Sequence, residues 1–125
     1  MVHLKNAEKF SVIANVRQHG IVADVSEPSG GNDLGMTPHE ILESALAACT
    51  SLTLKMYASR RQMKLVEAKV EVQTVSEGKD SVFSRKIELI GELTNEEKVK
   101  LMEIAEKCPI HKLLVSNITI QTESV

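Results

Sequence analysis

The chain contains two cysteines, Cys49 and Cys108, and both stand where thiol chemistry is a sharper explanation than packing. A cysteine attacks as thiolate, so its surroundings decide whether it reacts. Cys108 lies in the run Lys107-Cys108-Pro109-Ile110-His111-Lys112. Proline suits the first position of a helix, which makes Cys108 its cap, and the unpaired N–H groups there favour a negative sulfur. Lys107, His111 and Lys112 add positive or titratable groups. Cys49 falls on the apolar stripe of a long predicted helix with no activator within one turn, so it needs a cation brought from elsewhere in the fold. The blander readings are a small buried hydrophobe at 49 and a chance thiol at a helix boundary at 108. Spacing leaves open whether the sulfurs meet. Cys108-x-x-His111 also has zinc-like spacing, but no second C-x-x-C or H-x-x-x-H pair joins it. Neither a metal nor a cofactor is expected, and His111 reads as a polar residue on a short helix.

The elements that must position these thiols are legible from periodicity. Phe10, Val12, Ala14 and Val16 alternate, a turn follows at Gln18-His19-Gly20, and Ile21, Ala23 and Val25 resume the pattern, so residues 9–25 read as a β-hairpin. Residues 26–36 hold three of the six glycines and read as a flexible loop. Thr37-Pro38-His39-Glu40 is a helix start with a capping box, and Ile41, Leu42, Ala45, Leu46, Cys49, Leu52, Thr53 and Met56 keep helical spacing. This helix, nearly uncharged from Ala45 to Thr53, is expected to be buried on most sides and to end near Arg60-Arg61. Val66, Ala68, Val70 and Val72 alternate against charged or polar neighbours over residues 65–75, an antiparallel strand with one wet face. A turn at Glu77-Gly78-Lys79-Asp80 leads to a returning strand over 83–93. A second capping box, Thr94 to Glu97, opens a helix to about Lys107. A short helix through Leu114 and a last strand around Ile118 to Gln121 complete an α+β chain.

Composition bounds the function. A chain of 125 residues is one domain, 1–125, able to build a core without disulfides. Its net charge of −2 and its 2% aromatic content offer neither a basic stripe nor a stacking surface, so no nucleic acid partner is expected. The N-terminus lacks the basic start and apolar run of a secretory signal, and no run reaches the roughly 18–20 apolar residues of a membrane span. No membrane partner is expected. The default location is the cytoplasm, where a cysteine pair is transient and reactive.

The segments that hold the cysteines carry a resemblance. Thr37-Pro38-His39-Glu40-Ile41-Leu42-Glu43-Ser44-Ala45-Leu46-Ala47-Ala48-Cys49-Thr50-Ser51-Leu52-Thr53-Leu54 resembles the long-helix motif of the OsmC/Ohr family, the osmotically inducible and organic hydroperoxide resistance proteins. Cys108-Pro109-Ile110-His111-Lys112 is similar to that family's second cysteine motif. The order of elements fits along nearly the whole chain. The resemblance implies an intertwined homodimer with long central helices wrapped by antiparallel sheets and active sites at the subunit interface. It also implies a thiol peroxidase that reduces organic hydroperoxides, and hydrogen peroxide as a further substrate. Cys49 matches the peroxidatic cysteine, which becomes a sulfenic acid, and Cys108 the resolving cysteine, which condenses with it to a disulfide. A dithiol, lipoylated protein or a small molecule, then reduces that disulfide.

Two departures mark a divergent subgroup. The family places a glutamate ten residues before the first cysteine, and here that slot holds His39. Glu40 is one residue late, about 180° away from Cys49 on an ideal helix, and reads as the capping partner of Thr37. His39 can donate a hydrogen bond to a peroxide or stand as an exposed first-turn residue. The family also uses an arginine beside the thiolate. Arg17, at the hairpin turn, is the only arginine before Arg60 and is the candidate; otherwise it is a plain turn residue. The competing reading is a non-catalytic dimer that binds a small hydrophobic ligand in its cleft, and a third is a structural dimer with incidental thiols.

Overall fold

The computed structural model describes all residues, 1–125. Five strands and three α-helices partition into two compact units, Met1–Glu43 and Ser44–Val125, with helix α1 (Pro38–Arg60) running through the boundary. The chain is a mixture of helices and antiparallel sheets, as its α+β patterning predicts. No helix is long and apolar enough to cross a membrane.

In the first unit, β1 (His3–Asn6), β2 (Val12–Val16) and β3 (His19–Ala23) form an antiparallel sheet in the order β1-β2-β3. The expected hairpin is β2–β3, tightened so that Val16 pairs with His19 across a two-residue turn. Arg17 takes a positive φ of 52° there, the region that primed hairpin turns require. The added strand β1 is short and exposed throughout, so it leaves no alternation to read.

The glycine loop is tied down rather than loose. The buried Asp24 carboxylate accepts N–H bonds from Val25 at 2.8 Å, Asn32 at 3.2 Å and Leu34 at 3.1 Å. Burial pushes this carboxyl up, but the three N–H groups and Lys9 outweigh it and hold it below its ordinary value. A side chain at Gly31 would set its Cβ 2.1 Å from the Val25 carbonyl oxygen, so this glycine serves close backbone approach. Residues Glu27–Ser29 form one turn of 3-10 helix.

The second unit contains most of α1, the hairpin of β4 (Lys64–Ser76) and β5 (Val82–Glu92), and helices α2 (Asn95–Ala105) and α3 (Pro109–Leu114). Both expected capping boxes form. Thr37 and Glu40 exchange side-chain-to-N–H bonds at 2.9 and 3.3 Å, and Thr94 and Glu97 do so at 2.9 and 3.1 Å. The core gathers Leu54 and Ala58 from α1, Leu65 and Ala68 from β4, and Leu101, Ile104 and Ala105 from α2.

Helix α1 departs from the expected burial. Within one chain only the stripe Leu46, Thr50, Leu54 and Ala58 is buried, while Leu52 is 62% and Met56 53% exposed. An i, i+4 stripe covers one face, and a single chain has nothing to lay over the other. The start of β4 also departs. Leu65 pairs with Gly91 and Glu67 with Ile90, so Val66 is an extra residue in a bulge and turns outward, 71% exposed. At the bulge Lys55 Nζ donates to the Leu65 and Val66 carbonyls, both at 2.8 Å. Ser51 Oγ donates to the Ala68 carbonyl at 3.1 Å, so two polar side chains pin α1 along β4.

At the C-terminus the expected strand at Ile118 to Gln121 does not form. Ile118 and Ile120 have strand alternation, but the sheet of this unit contains only β4 and β5, and both isoleucines stay exposed. Helix α2 likewise stops at Ala105, two residues early, because Glu106 and Lys107 turn the chain into Cys108.

Candidate active site

Helix α1 presents Cys49, Thr50 and Thr53, and the turn after α2 delivers Cys108 to the same place. The Cys49 and Cys108 sulfurs lie close enough to perturb each other, and no disulfide joins them. Cys108 is the N-cap of α3 and is fully buried, whereas Cys49 is half-buried. Pro109 opens α3 directly after Cys108, and the N–H groups of Ile110 and His111 lie near the Cys108 sulfur without forming a capping hydrogen bond. Cys49 shares the Ile110 N–H and has the Thr53 hydroxyl 4.0 Å away.

These contacts divide the two thiols. Burial pushes Cys49 up, and the neighbouring Cys108 adds to the rise through its hydrogen bond and charge. The Ile110 N–H and Thr53 oppose without overcoming it. Burial also pushes Cys108 up, but the hydrogen bonds from Cys49, the His111 N–H, Thr50 and the Ile110 N–H together hold it below its ordinary value. Of the two thiols, Cys108 is therefore the one that ionises more readily.

Around the pair runs a polar chain that spacing in the sequence did not disclose. Arg85 on β5 donates through Nη1 to Thr50 Oγ1 at 3.1 Å and through Nη2 to Glu106 Oε1 at 3.2 Å. Its side chain is only 11% exposed. The second oxygen of Glu106 meets His111 Nε2 at 3.2 Å. One carboxylate thus bridges a guanidinium from the sheet and an imidazole from α3. The Thr50 hydroxyl, which accepts from Arg85, donates to the Leu46 carbonyl at 2.7 Å and also has Cys108 within reach. A hydroxyl has one hydrogen, so it serves one of these acceptors at a time.

A cavity of about 640 Å³ adjoins this network. Arg85, Glu106 and His111 form part of its wall, and Leu46, Phe83, Met102 and Leu114 supply apolar surface. The sulfurs themselves do not line it.

Of the residues singled out from the sequence, Cys49 and Cys108 come together. Arg17 lies exposed on the β2–β3 turn, and His39 is exposed in the first turn of α1. Both belong to the first unit, and the cation joined to the thiol pair through Thr50 is Arg85. Its only sequence signal was its place on the half-buried returning strand, where neighbours alternate between apolar and charged.

The family profile described as OsmC-like protein matches residues 30–123. No curated relative matches the chain significantly. Among solved structures, an osmotic stress induced and detoxification response protein from Psychrobacter arcticus is similar at 19% identity and a TM-score of 0.77, covering 90% of this chain and 85% of that one. An OsmC-like protein from Mycoplasma pneumoniae matches at 20% identity and a TM-score of 0.76, covering 91% and 85%. An organic hydroperoxide resistance protein from Elizabethkingia anophelis matches at 19% identity and a TM-score of 0.66, covering 94% and 89%. These likenesses bear on the fold, and with the profile that spans both cysteine segments they place the chain in the OsmC-like protein family.

Proposed function

We propose that the protein is a thiol peroxidase that reduces organic hydroperoxides, with Cys49 as the attacking sulfur and Cys108 as the resolving one. The observation that carries this reading is the meeting of the two sulfurs from elements 59 residues apart, one half-open and one sealed. A packing role explains a buried cysteine, but not two that come together from distant elements. The Cys49 sulfur attacks the outer oxygen of the peroxide, the O–O bond breaks, an alcohol leaves, and a sulfenic acid remains. Cys108 then displaces water from it to form the disulfide, which an external dithiol, lipoylated protein or a small molecule, reduces by exchange.

The apolar walls of the adjoining cavity favour an organic peroxide over hydrogen peroxide. Several structural relatives carry the name organic hydroperoxide resistance protein, which agrees with this preference. In the proposal residues 1–125 act as one domain, with Arg17 and His39 contributing to peroxide binding or thiolate stabilisation. A reducing cytoplasm suits a site that must return to the dithiol.

A homodimer belongs to the same reading. The outward stripe of α1, Ala45, Ala48, Leu52 and Met56, is exposed in one chain at spacings that a facing helix would cover. The competing reading, a dimer that stores a small hydrophobic ligand without turnover, draws on the same cavity. Peroxide consumption separates them. With a dithiol reductant present, cumene hydroperoxide should be consumed faster than hydrogen peroxide, and Cys49→Ser should abolish both. Absence of consumption by the wild-type protein, together with binding of apolar dyes, would replace the enzyme with the carrier.

A further inference from the structure

We infer that Glu106 is a positioning residue for the resolving thiol. Its carboxylate straps both flanks of Cys108 to the sheet, and this strap sets the rate at which Cys108 closes on the oxidised Cys49. The inference rests on the peroxidase reading and concerns its second step.

The geometry that points to it lies in the turn between α2 and α3. Helix α3 has no buried residue and contributes none to the hydrophobic core. The Cys108 side chain makes no capping bond, and its backbone N–H reaches the Ala105 carbonyl at a long 3.3 Å. His111, Leu114 and Val115 border the cavity of about 640 Å³, so α3 meets open space there in place of packing.

Polar bonds supply what packing does not. Glu106 stands two residues before Cys108 and His111 three after it. Oε1 of Glu106 accepts from Arg85 Nη2 at 3.2 Å, and Oε2 accepts from His111 Nε2 at 3.2 Å. Arg85 Nη1 donates in turn to Thr50 Oγ1 at 3.1 Å, beside Cys49 on α1. One carboxylate thus ties the residues on either side of Cys108 to an arginine that also holds the helix of the other cysteine.

A lone exposed ion pair contributes little, and Glu106 is 64% exposed. This carboxylate, however, has two partners, and one of them, Arg85, is only 11% exposed. The strap therefore acts on placement more than on stability, and a misplacement of about 1 Å costs on the order of a hundredfold in rate.

The step it governs balances. The Cys108 thiol gives up its proton, its sulfur forms the S–S bond with Cys49, and the S–O bond of the sulfenic acid breaks. Hydroxide leaves with that proton as water. When closure lags, a second hydroperoxide oxidises the waiting sulfenic acid to sulfinic acid and departs as alcohol.

Glu106→Gln keeps the shape but turns an amide N–H₂ toward one of two donors, so one end of the strap is lost. His111→Phe removes the other end. Single-turnover quenching with cumene hydroperoxide, read by sulfenic acid trapping and mass spectrometry, separates the two steps, and circular dichroism checks each fold. Disulfide closure should slow by about tenfold or more in either variant, while sulfenic acid formation slows by less. The double variant should close no more slowly than Glu106→Gln alone, because both residues act through one bridge. With excess peroxide, both single variants should accumulate more sulfinic acid on Cys49 than wild type. Closure at the wild-type rate in Glu106→Gln, or equal slowing of both steps, would overturn the inference.

A second measurement dispenses with peroxide. A dipyridyl disulfide converts Cys49 to a mixed disulfide, and Cys108 then displaces a second pyridine thione as it closes, which absorbance follows. The second release should be slower in Glu106→Gln than in wild type, and equal releases would overturn the strap. A wild-type protein inert to cumene hydroperoxide would remove the peroxidase reading, whereas a slower second release in Glu106→Gln would still uphold the positioning role.

Discussion

Arg85 on β5 holds Thr50 on α1, Nη1 to Oγ1 at 3.1 Å, and Thr50 is the residue that follows Cys49. A guanidinium in the sheet thereby fixes the hydroxyl that serves the neighbouring sulfur, Cys108. The contact joins residues 35 apart in sequence, and its electrostatic reach is long because the arginine is nearly sealed from water.

Removal of Arg85 should therefore be felt in the chemistry. A hydrogen bond to a charged group contributes about 1.5–3 kcal/mol, which corresponds to roughly ten- to a hundredfold in rate. Arg85→Ala should slow sulfenic acid formation by that order. Arg85→Lys should recover part of it, since an ammonium lacks the fork that meets Thr50 and Glu106 together. Stopped-flow peroxide consumption measures both, and a wild-type rate in Arg85→Ala would detach the arginine from the reaction.

The other two candidates are tested in the same assay. Arg17→Ala should slow the first step without unfolding the protein, because the turn tolerates alanine at modest strain. His39→Ala should weaken peroxide saturation more than it lowers the maximal rate. Unchanged kinetics in either variant would confine the cationic role to Arg85 or the binding role to the cavity wall.

How much of this was legible beforehand depends on the range of the signal. The start of α1 was readable because Thr37, Pro38 and Glu40 act within one turn, and its end fell at Arg60 as the charge pattern indicates. The pairing of the thiols came from resemblance, since nothing local relates position 49 to position 108. Arg85 was missed because its contact with Thr50, 35 residues away, exists only in the folded chain. Val66 was misjudged because an extra residue in the ladder reverses the inward alternation at that point, and the bulge is visible only against Gly91 on the opposite strand. Ile118 and Ile120 have a strand pattern that no edge within one chain accepts.

The bulge gives a stability prediction. Gly91 has φ 148°, and a Cβ there would lie 2.0 Å from the Lys64 carbonyl oxygen. Gly91→Ala must shift backbone, and should cost at least about 2 kcal/mol by the usual penalty for such positions. Urea unfolding with an unchanged slope and a lower midpoint is the expected result. A neutral effect would mean that the β4–β5 register is softer than described.

Acid should loosen the first unit through Asp24. Its folded carboxyl lies below the ordinary value, so its stabilising contribution is complete above the unfolded pKa of 3.8 and is lost as pH falls through the folded one. Asp24→Asn should lower Tm at neutral pH, where the loop N–H groups lose their charged acceptor. It should also flatten the decline of Tm in acid relative to wild type. Parallel acid limbs for the two proteins would show that Asp24 is not a stabilising charge.

The most direct test of the account is the fate of the two thiols. Reduced protein given one equivalent of cumene hydroperoxide should lose both free thiols, and peptide mapping should show a Cys49–Cys108 disulfide within one chain. Cys108→Ser should stop at a trappable sulfenic acid on Cys49, and Cys49→Ser should barely react. Slow and equal oxidation of all three proteins, or a sulfenic acid trapped on Cys108 in place of Cys49, would contradict it.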